Sequence, residues 1–297
     1  MVKSKKRKDP EELGDAPAIQ KDDDSSDEEM EMLDVDFEWF DPNPDVDFHG
    51  FKTLLRQLLD IDYQLFNLSE LADMILAQPH LGSTVKVDGT ESDPYAFLTV
   101  LNMQQHKVRL DKQVIKDLAQ YFVQKAASEP SLSQLPSLLS PDNSSAQVGL
   151  ILTERFINMP SEIVPPLYKM LLDEMQWAID AKEPYNFTHY LILSKTYAEV
   201  ESKLDMEESR PKKKTKNDGS SETFFFHPED EILHKHALAH ANFEYTKQAD
   251  EGASDAKRAF QEMGIKPQGH LILIDGKKLA DAVQAVQQAI GGPAAAS

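Results

Sequence analysis

The strongest constraint on the fold is the segment from Val148 to Ile157, a nearly continuous run of apolar residues. A short run that is apolar on both alternating faces is typical of a strand buried in the centre of a sheet. Glu154 and Arg155 interrupt it, and charged side chains in such a strand must meet an internal partner, a binding surface or the sheet edge. We interpret them as a structural ion pair that anchors the turn at residues 158–160.

Strand and helix patterns alternate along the rest of the chain. The predicted strands lie near residues 30–40, 83–89, 95–103, 185–197, 223–226 and 270–274. The predicted helices begin near residues 49, 69, 111, 161 and 228, and a last helix ends before Gly291. We expect one α/β (α+β) domain over residues 31–292, with a disordered tail at 1–30 and a disordered end at 293–297. Polar composition predicts exposed loops at residues 126–146 and 201–221.

The first thirty residues place a basic cluster directly before an acidic tract. The basic cluster has the form of a nuclear import signal and consists of Lys3, Lys5, Lys6, Arg7 and Lys8. A weaker auxiliary signal is formed by Lys212, Lys213, Lys214 and Lys216. The acidic tract, whose densest part is Asp22, Asp23, Asp24, Asp27, Glu28 and Glu29, contributes much of the net charge of -20. Such a tract repels nucleic-acid phosphate and attracts basic proteins, so we expect basic protein partners and no direct nucleic-acid binding.

Several other features narrow the function. Ser25 and Ser26 are each followed by an acid three residues on, which predicts phosphorylation by acidophilic kinases. The sequence contains no cysteine, which excludes disulfides and thiolate chemistry and fits an intracellular protein. No apolar run approaches the roughly 18 residues of a membrane span, so we expect no membrane association.

The histidines do not predict a metal site. We place His234, His236 and His240 on one helix, where only His236 and His240 would share a face. The glutamate of a zinc-protease motif is missing and no third ligand is indicated, so we expect no bound metal.

The sequence also lacks the signatures of common cofactor sites and catalytic groups. Its closest match to a coenzyme A pyrophosphate turn, residues 261–266, places Lys266 where a small residue is required. No glycine-rich phosphate loop or serine nucleophile elbow occurs elsewhere. We therefore expect no cofactor and no enzymatic activity.

Three separated segments resemble the BCCIP family and its fungal, BCP-type branch. These segments are residues 148–160, 190–197 and 226–231, and the resemblance covers about residues 30 to 290. The family motif matches at Glu154, Arg155, Asn158 and Pro160, to which no catalytic role is attached. The resemblance implies an acetyltransferase-like (GNAT-like) α/β fold, a mixed sheet flanked by helices, that has lost its coenzyme A site.

The resemblance also implies a function, that of a nuclear escort. Fungal members are associated with chaperoning a basic protein of the large ribosomal subunit and with nuclear export of a phosphoinositide kinase. Such a protein would use nuclear import and export receptors and would shuttle between nucleus and cytoplasm. The alternative is a divergent GNAT-type acyltransferase that uses acetyl-coenzyme A in an unrecognised way.

Overall fold

The fold is organised around one eight-stranded sheet, as described by a computed structural model. The structure describes residues 35–104, 112–140, 142–143, 145–199, 223–246 and 265–291. The chain divides into two units, residues 1–35 and 36–297. Only Val35 of the first unit is among the described residues, and all the elements below belong to the second unit.

The strands are mostly antiparallel. In chain order they are β1 (Glu38–Phe40), β2 (Ser83–Lys86), β3 (Ala96–Asn102), β4 (Val148–Arg155), β5 (His189–Glu199), β6 (Phe224–Phe225), β7 (Ala239–Phe243) and β8 (Ile265–Asp275). The spatial order is β1-β2-β3-β4-β5-β8-β7, and β6 pairs with β5. Only the pair β4 and β5 is parallel among these pairings. The predicted α/β class is therefore confirmed as a mixed fold, while its likeness to acetyltransferases stays a prediction.

Helices cover both faces of the sheet. They are α1 (Phe48–Leu59), α2 (Leu68–Leu76), α3 (Gln113–Ala126), α4 (Leu135–Leu138), α5 (Val164–Asp180), α6 (Pro228–Lys235) and α7 (Leu279–Ile290). The first four contribute to one hydrophobic cluster and the last three to a second cluster on the opposite face. Strand β4 separates the two clusters, because Leu150 and Leu152 point into the first and Ile151 into the second.

The two parallel strands diverge along their length. Residues 148–151 of β4 pair with residues 189–192 of β5, and the rest of β4 has no pairing with β5. Strand β8 occupies the other edge of β5 over residues 189–199. The short β6, which pairs with Thr196 and Tyr197, must therefore use the same edge of β5 as β4 does. The divergence leaves the charged end of β4 facing side chains from β5 and α6.

The segment 126–146 is not the exposed loop that its composition predicts. It contains a 3-10 helix at Pro130–Leu132 and the short helix α4. Leu132, Leu135 and Leu139 are buried in the same cluster as α3. The serines and prolines between the leucines conceal a packed stretch whose apolar residues recur at helical spacing. The other predicted loop, 201–221, lies outside the described residues.

The N-terminal ends of α2 and α5 differ from the predicted ones, because other residues cap or begin these helices. Asn67, not Ser69, caps α2 by accepting a hydrogen bond from the Glu70 amide at 3.2 Å. Ser161 begins a 3-10 turn, and α5 starts only at Val164. Pro165 then occupies the first turn of α5, where the absence of an amide hydrogen costs nothing.

The largest difference concerns residues 236–240, which we predict to lie on the same helix as His234. Helix α6 ends at Lys235, and the chain returns as β7 along the sheet edge. Ala239, Ala241 and Phe243 are buried, whereas His240 and Asn242 point to the other face. This period of two is visible in the sequence and is typical of a strand, but the nearby histidines suggested a helix.

Candidate functional site

The end of β4 carries a buried carboxylate with two side-chain partners. Glu154 accepts a hydrogen bond from Lys195 of β5 at 2.5 Å and lies 2.8 Å from Nε2 of His227. Lys195 also donates to the carbonyl of Gln57 in α1 at 3.1 Å. Burial alone would raise the pKa of Glu154, but Lys195 and then His227 lower it to about 2. Glu154 is therefore a permanent buried anion at neutral pH.

Arg155 points to the opposite face of the sheet and has its own partner. Its guanidinium forms two hydrogen bonds with the carboxylate of Glu229, near the start of α6. Its backbone carbonyl accepts a hydrogen bond from the Gln57 side chain at 2.7 Å. These contacts connect β4 to helices on both faces.

Asp230, the next residue of α6, is buried beside this pair. One carboxylate oxygen accepts from Ser194 of β5 at 2.7 Å, and the other has no hydrogen-bond partner among the described residues. Burial raises the pKa of Asp230 to about 7, with a further contribution from Glu229. Asp230 therefore titrates near neutrality, whereas Glu154 stays ionised.

This arrangement corrects the interpretation of Glu154 and Arg155 as one ion pair. Consecutive strand residues face opposite sides of a sheet, so each side chain found a separate partner. Both are internal, and the sheet edge plays no part because β4 lies between β3 and β5. Asn158 is exposed in the turn after β4, and Pro160 is half-buried. We call Glu154, Arg155, Lys195, His227, Glu229 and Asp230 the buried charge network.

A second charged region lies on the protein surface along α5. A cavity of 460 Å³ is lined by Asp41, His80, Met170, Asp173, Glu174, Trp177, Ala178, Ala181 and Glu183. Trp177 is 65% exposed, so much of its indole side chain is accessible to a partner. We call this cavity the acidic groove, because four of its lining residues are carboxylic acids.

The acidic groove has one anchored carboxylate and three that form no ion pair with any residue the structure describes. Glu174 is buried and accepts hydrogen bonds from the Gly82 amide and the Ser83 hydroxyl, both at 2.8 Å. Burial raises the pKa of Glu174, and these two hydrogen bonds oppose that effect. Within the described part of the chain, no ion pair involves Asp41, Asp173 or Glu183. Ammonium and guanidinium groups would therefore find unpaired acceptors here, with Trp177 available for a cation–π contact.

The structure also regroups the histidines. His234 of α6, His240 of β7 and His270 of β8 come together, with one candidate ligand nitrogen of each lying within 4.8 Å of the others. The predicted trio of His234, His236 and His240 on one helix is wrong, because the helix ends before His236. The missing third partner, His270, is 30 or more residues away in sequence and could not be found by local spacing.

The predicted signal, tract and modification residues cannot be placed. The residues outside the described part of the chain are Lys3, Lys5, Lys6, Arg7, Lys8, Asp22, Asp23, Asp24, Ser25, Ser26, Asp27, Glu28, Glu29, Lys212, Lys213, Lys214 and Lys216. Their proposed roles stay predictions. Among the helices that the structure describes, none has the length and apolar character needed to cross a bilayer.

The fold and these regions define a mixed α/β protein with a charged network at the centre of its sheet and an acidic groove on its surface. The BCCIP family model matches residues 32–233. Protein bcp1 of Aspergillus fumigatus is 64% identical over 272 residues, covering 91% of this chain and 92% of that protein. Protein bcp1 of Schizosaccharomyces pombe is 51% identical over 260 residues, covering 86% and 89%. This chain belongs to the BCCIP family.

A solved structure supports the same assignment. The crystal structure of BCP1 from Saccharomyces cerevisiae matches with a TM-score of 0.60 and 27% sequence identity. The match covers 91% of this chain and 95% of that one. The resemblance predicted from three short segments is therefore confirmed over most of the chain.

Proposed function

We propose that this protein is a non-enzymatic nuclear escort, which binds a basic protein of the large ribosomal subunit and keeps it soluble. It also supports nuclear export of a partner such as a phosphoinositide kinase. The observation that carries the proposal is the acidic groove on the folded domain. The groove presents carboxylates with no described ion pair around an exposed indole, a surface suited to lysine and arginine side chains.

The groove adds a second acidic surface to the N-terminal tract. Isolated ribosomal proteins carry dense Lys and Arg surfaces that are made for RNA phosphate. The tract supplies long-range attraction through its charge, and the groove supplies short-range contacts with defined geometry. A client bound by the tract and by the groove would be kept from binding RNA-like polyanions and from aggregating.

The divergence of β4 and β5 supports a non-enzymatic role. A gap between two parallel strands can admit a ligand, but here Glu154, Lys195 and His227 fill the space next to it. A ligand entering at this point would have to separate a buried ion pair. Leaving one member of such a pair buried without its partner costs about 3–5 kcal/mol. The network is thus suited to holding the sheet together and not to admitting acetyl-coenzyme A.

The central experiment measures the affinity of the purified protein for a basic large-subunit ribosomal protein at several salt concentrations. Wild type is compared with Asp173→Asn/Glu183→Gln, which removes two groove charges, and with a chain lacking residues 1–30. Exposed charge contacts are screened over about 8 Å at physiological ionic strength, so wild-type binding should weaken steeply as salt rises. The groove variant should bind more weakly, and a light-scattering assay should show faster client aggregation.

Glu70→Gln/Asp73→Asn is the matched control, because it also removes one Asp and one Glu charge but on α2, across the sheet from α5. It should bind the client as wild type does at equal ionic strength. If both double variants weaken binding equally, only net charge matters and the groove is not the docking site. If wild type neither binds the client nor delays its aggregation at low salt, the escort proposal fails for that client.

A thermal-shift titration with acetyl-coenzyme A tests the acyltransferase alternative. A bound cofactor raises the unfolding temperature by mass action, whereas an escort should show no shift at millimolar ligand. A saturable rise would favour the enzyme and count against the proposal.

Nuclear entry is tested with a reporter fusion. Replacing Lys5, Lys6, Arg7 and Lys8 with alanine should move the fusion toward the cytoplasm, and removing the lysines at 212–216 should move it further. Full nuclear accumulation after both changes would mean that the protein enters together with its cargo.

Intact-mass analysis of protein from cells should show phosphate on Ser25 or Ser26, which would add roughly 1.5 to 2 negative charges per site.

A further inference from the structure

Three imidazole rings from three different elements converge on one point at the edge of the sheet. Nδ1 of His234 lies 3.0 Å from Nε2 of His270. One candidate ligand nitrogen from each of the three rings, His240 included, lies within 4.8 Å of the other two. Two nitrogens bound to the same tetrahedral Zn²⁺ at the usual bond length lie about 3.3 Å apart. Small side-chain rotations would therefore bring all three nitrogens to bonding distance of a single ion.

A neighbouring amide fixes the tautomer of the most buried ring. Nδ1 of His270 lies 2.5 Å from Oδ1 of Asn242, whose amide nitrogen donates to the Thr223 hydroxyl at 3.1 Å. An amide oxygen can only accept, so Nδ1 of His270 carries the proton and Nε2 presents its lone pair toward His234. Metal-binding histidines in proteins are oriented in this way, with the second ring nitrogen donating to an oxygen.

The surroundings keep the rings neutral, as metal binding requires. Burial first, and then the proximity of His234 and His240, lowers the pKa of His270 to about 3. Burial also lowers the pKa values of His234 and His240. The charged groups of α6 that act on His234 are Glu231 and Lys235, which are paired with each other at 2.8 Å. Neutral imidazoles do not have to release a proton before they bind a cation.

We propose that His234, His240 and His270 bind one divalent transition-metal ion of the zinc class. Imidazole nitrogen is a preferred ligand for Zn²⁺, and hard cations such as Mg²⁺ and Ca²⁺ prefer oxygen. Three protein ligands leave one position of a tetrahedral ion for a water molecule, and His240 is the exposed member of the three. The ion ties α6 to β7, the edge strand, and to its neighbour β8, so it stabilises the part of the sheet that is held on one side only.

The test uses the full-length chain without a histidine tag at pH 7.5. Zn²⁺ is titrated in competition with a chromophoric chelator, and Co²⁺ is added as a spectroscopic substitute. We expect one equivalent of Zn²⁺ to bind and to raise the unfolding temperature. Co²⁺ should give the intense visible absorption of a tetrahedral site and not the weak absorption of the hydrated ion.

Two variants separate this site from the other histidines of the chain. His240→Gln removes an exposed ligand, so the fold is kept, and it should weaken Zn²⁺ binding by about tenfold or more. His236→Gln changes a histidine only four residues away that lies outside the cluster, and it should bind Zn²⁺ as wild type does. A third variant, Asn242→Ala, keeps all three ligands but loses the hydrogen bond that orients His270, and should weaken binding by about 10- to 100-fold.

The proposal is overturned if wild type shows no saturable binding at one equivalent. It is also overturned if His240→Gln binds Zn²⁺ as tightly as His236→Gln does. The three rings would then be a hydrogen-bonded stack that packs α6 against the sheet. Circular dichroism of each variant confirms that a loss of binding is not a loss of folding.

Discussion

The buried charge network and the acidic groove are both rich in carboxylates, but they differ in how those carboxylates are paired. In the network, Glu154 meets Lys195 and His227, and Glu229 meets Arg155. In the groove, Asp173 and Glu183 have no ion pair with any described residue, and the exposed Trp177 lines the same cavity. The first region uses charge to hold elements together, and the second leaves charge available to a partner.

The physical reason lies in the solvent. Moving an ion out of water is so costly that it is tolerated only with a close counter-ion and hydrogen bonds. A carboxylate at the surface keeps its hydration, so it can lie unpaired at little cost and exchange water for a client's cation. Substitutions in the two regions should therefore act on different properties, on stability in the network and on binding in the groove.

The largest effect should come from Glu154→Ala. It leaves Lys195 and His227 buried without their anion, so the free energy of unfolding in urea should fall by about 3–5 kcal/mol. The control, Glu244→Ala, breaks the exposed pair with Lys266 and should cost at most about 1 kcal/mol.

The double variant Glu154→Leu/Lys195→Met sharpens this prediction. It removes both charges together, so neither is left buried alone. Its loss of unfolding free energy should therefore be smaller than the sum of the losses of Glu154→Leu and Lys195→Met measured singly. Equal losses for Glu154→Ala and Glu244→Ala would erase the contrast between buried and exposed carboxylates.

Asp230→Asn should change how stability depends on pH. The pKa of Asp230 is about 7 in the folded protein and near 3.8 in the unfolded chain. The folded state holds the proton more tightly, so the stability contributed by the protonated acid is complete below about pH 3.8 and is lost as pH rises through 7. Asparagine does not ionise, so wild type should lose about 1–3 kcal/mol relative to the variant between pH 5 and pH 8.

Urea unfolding at four pH values in that range provides the measurement. The amide oxygen introduced by Asp230→Asn can still accept the hydrogen bond from Ser194, so packing should be similar. Parallel curves for wild type and variant would show that Asp230 is already ionised at pH 5.

Glu174→Ala should show that the groove itself contains one structural carboxylate. Its loss leaves the Gly82 amide and the Ser83 hydroxyl without their acceptor, which should cost about 1–3 kcal/mol of unfolding free energy. Asp173→Ala, one residue earlier on the exposed side of α5, serves as the comparison and should be nearly neutral. Similar losses in the two variants would mean that position in the groove, and not hydrogen bonding, determines the effect.

The smallest effect on stability should come from Asp173→Asn/Glu183→Gln. Neither side chain has a described ion pair, so the unfolding free energy should change by no more than about 0.5 kcal/mol per site. The same variant should lose affinity for a basic client. A large loss of stability would show that these acids are structural and would remove the distinction between groove and network.

Sequence reasoning located the elements that carry strong local signals. The apolar run at residues 148–157 is the central strand β4, and the helical spacing after His49 corresponds to α1. It missed β7, because the alternation of buried and exposed residues in β7 covers only five residues. The histidines at 234, 236 and 240 were interpreted as part of a helix instead. It also misread residues 126–146, where polar residues outnumber the few leucines that determine packing.

The sequence by itself determined the charge distribution, the mixed α/β class and the family, since these depend on composition, periodicity and short ordered motifs. Only the tertiary structure decided which charges meet. Glu154 and Lys195 are 41 residues apart, and His234 and His270 are 36 apart. Such pairs depend on strand register and on which edge each strand occupies, and a shift of one residue would send every side chain to the opposite face. Local sequence does not specify that register, so the partner of each charged side chain is determined only by the pairing of the strands in the folded sheet.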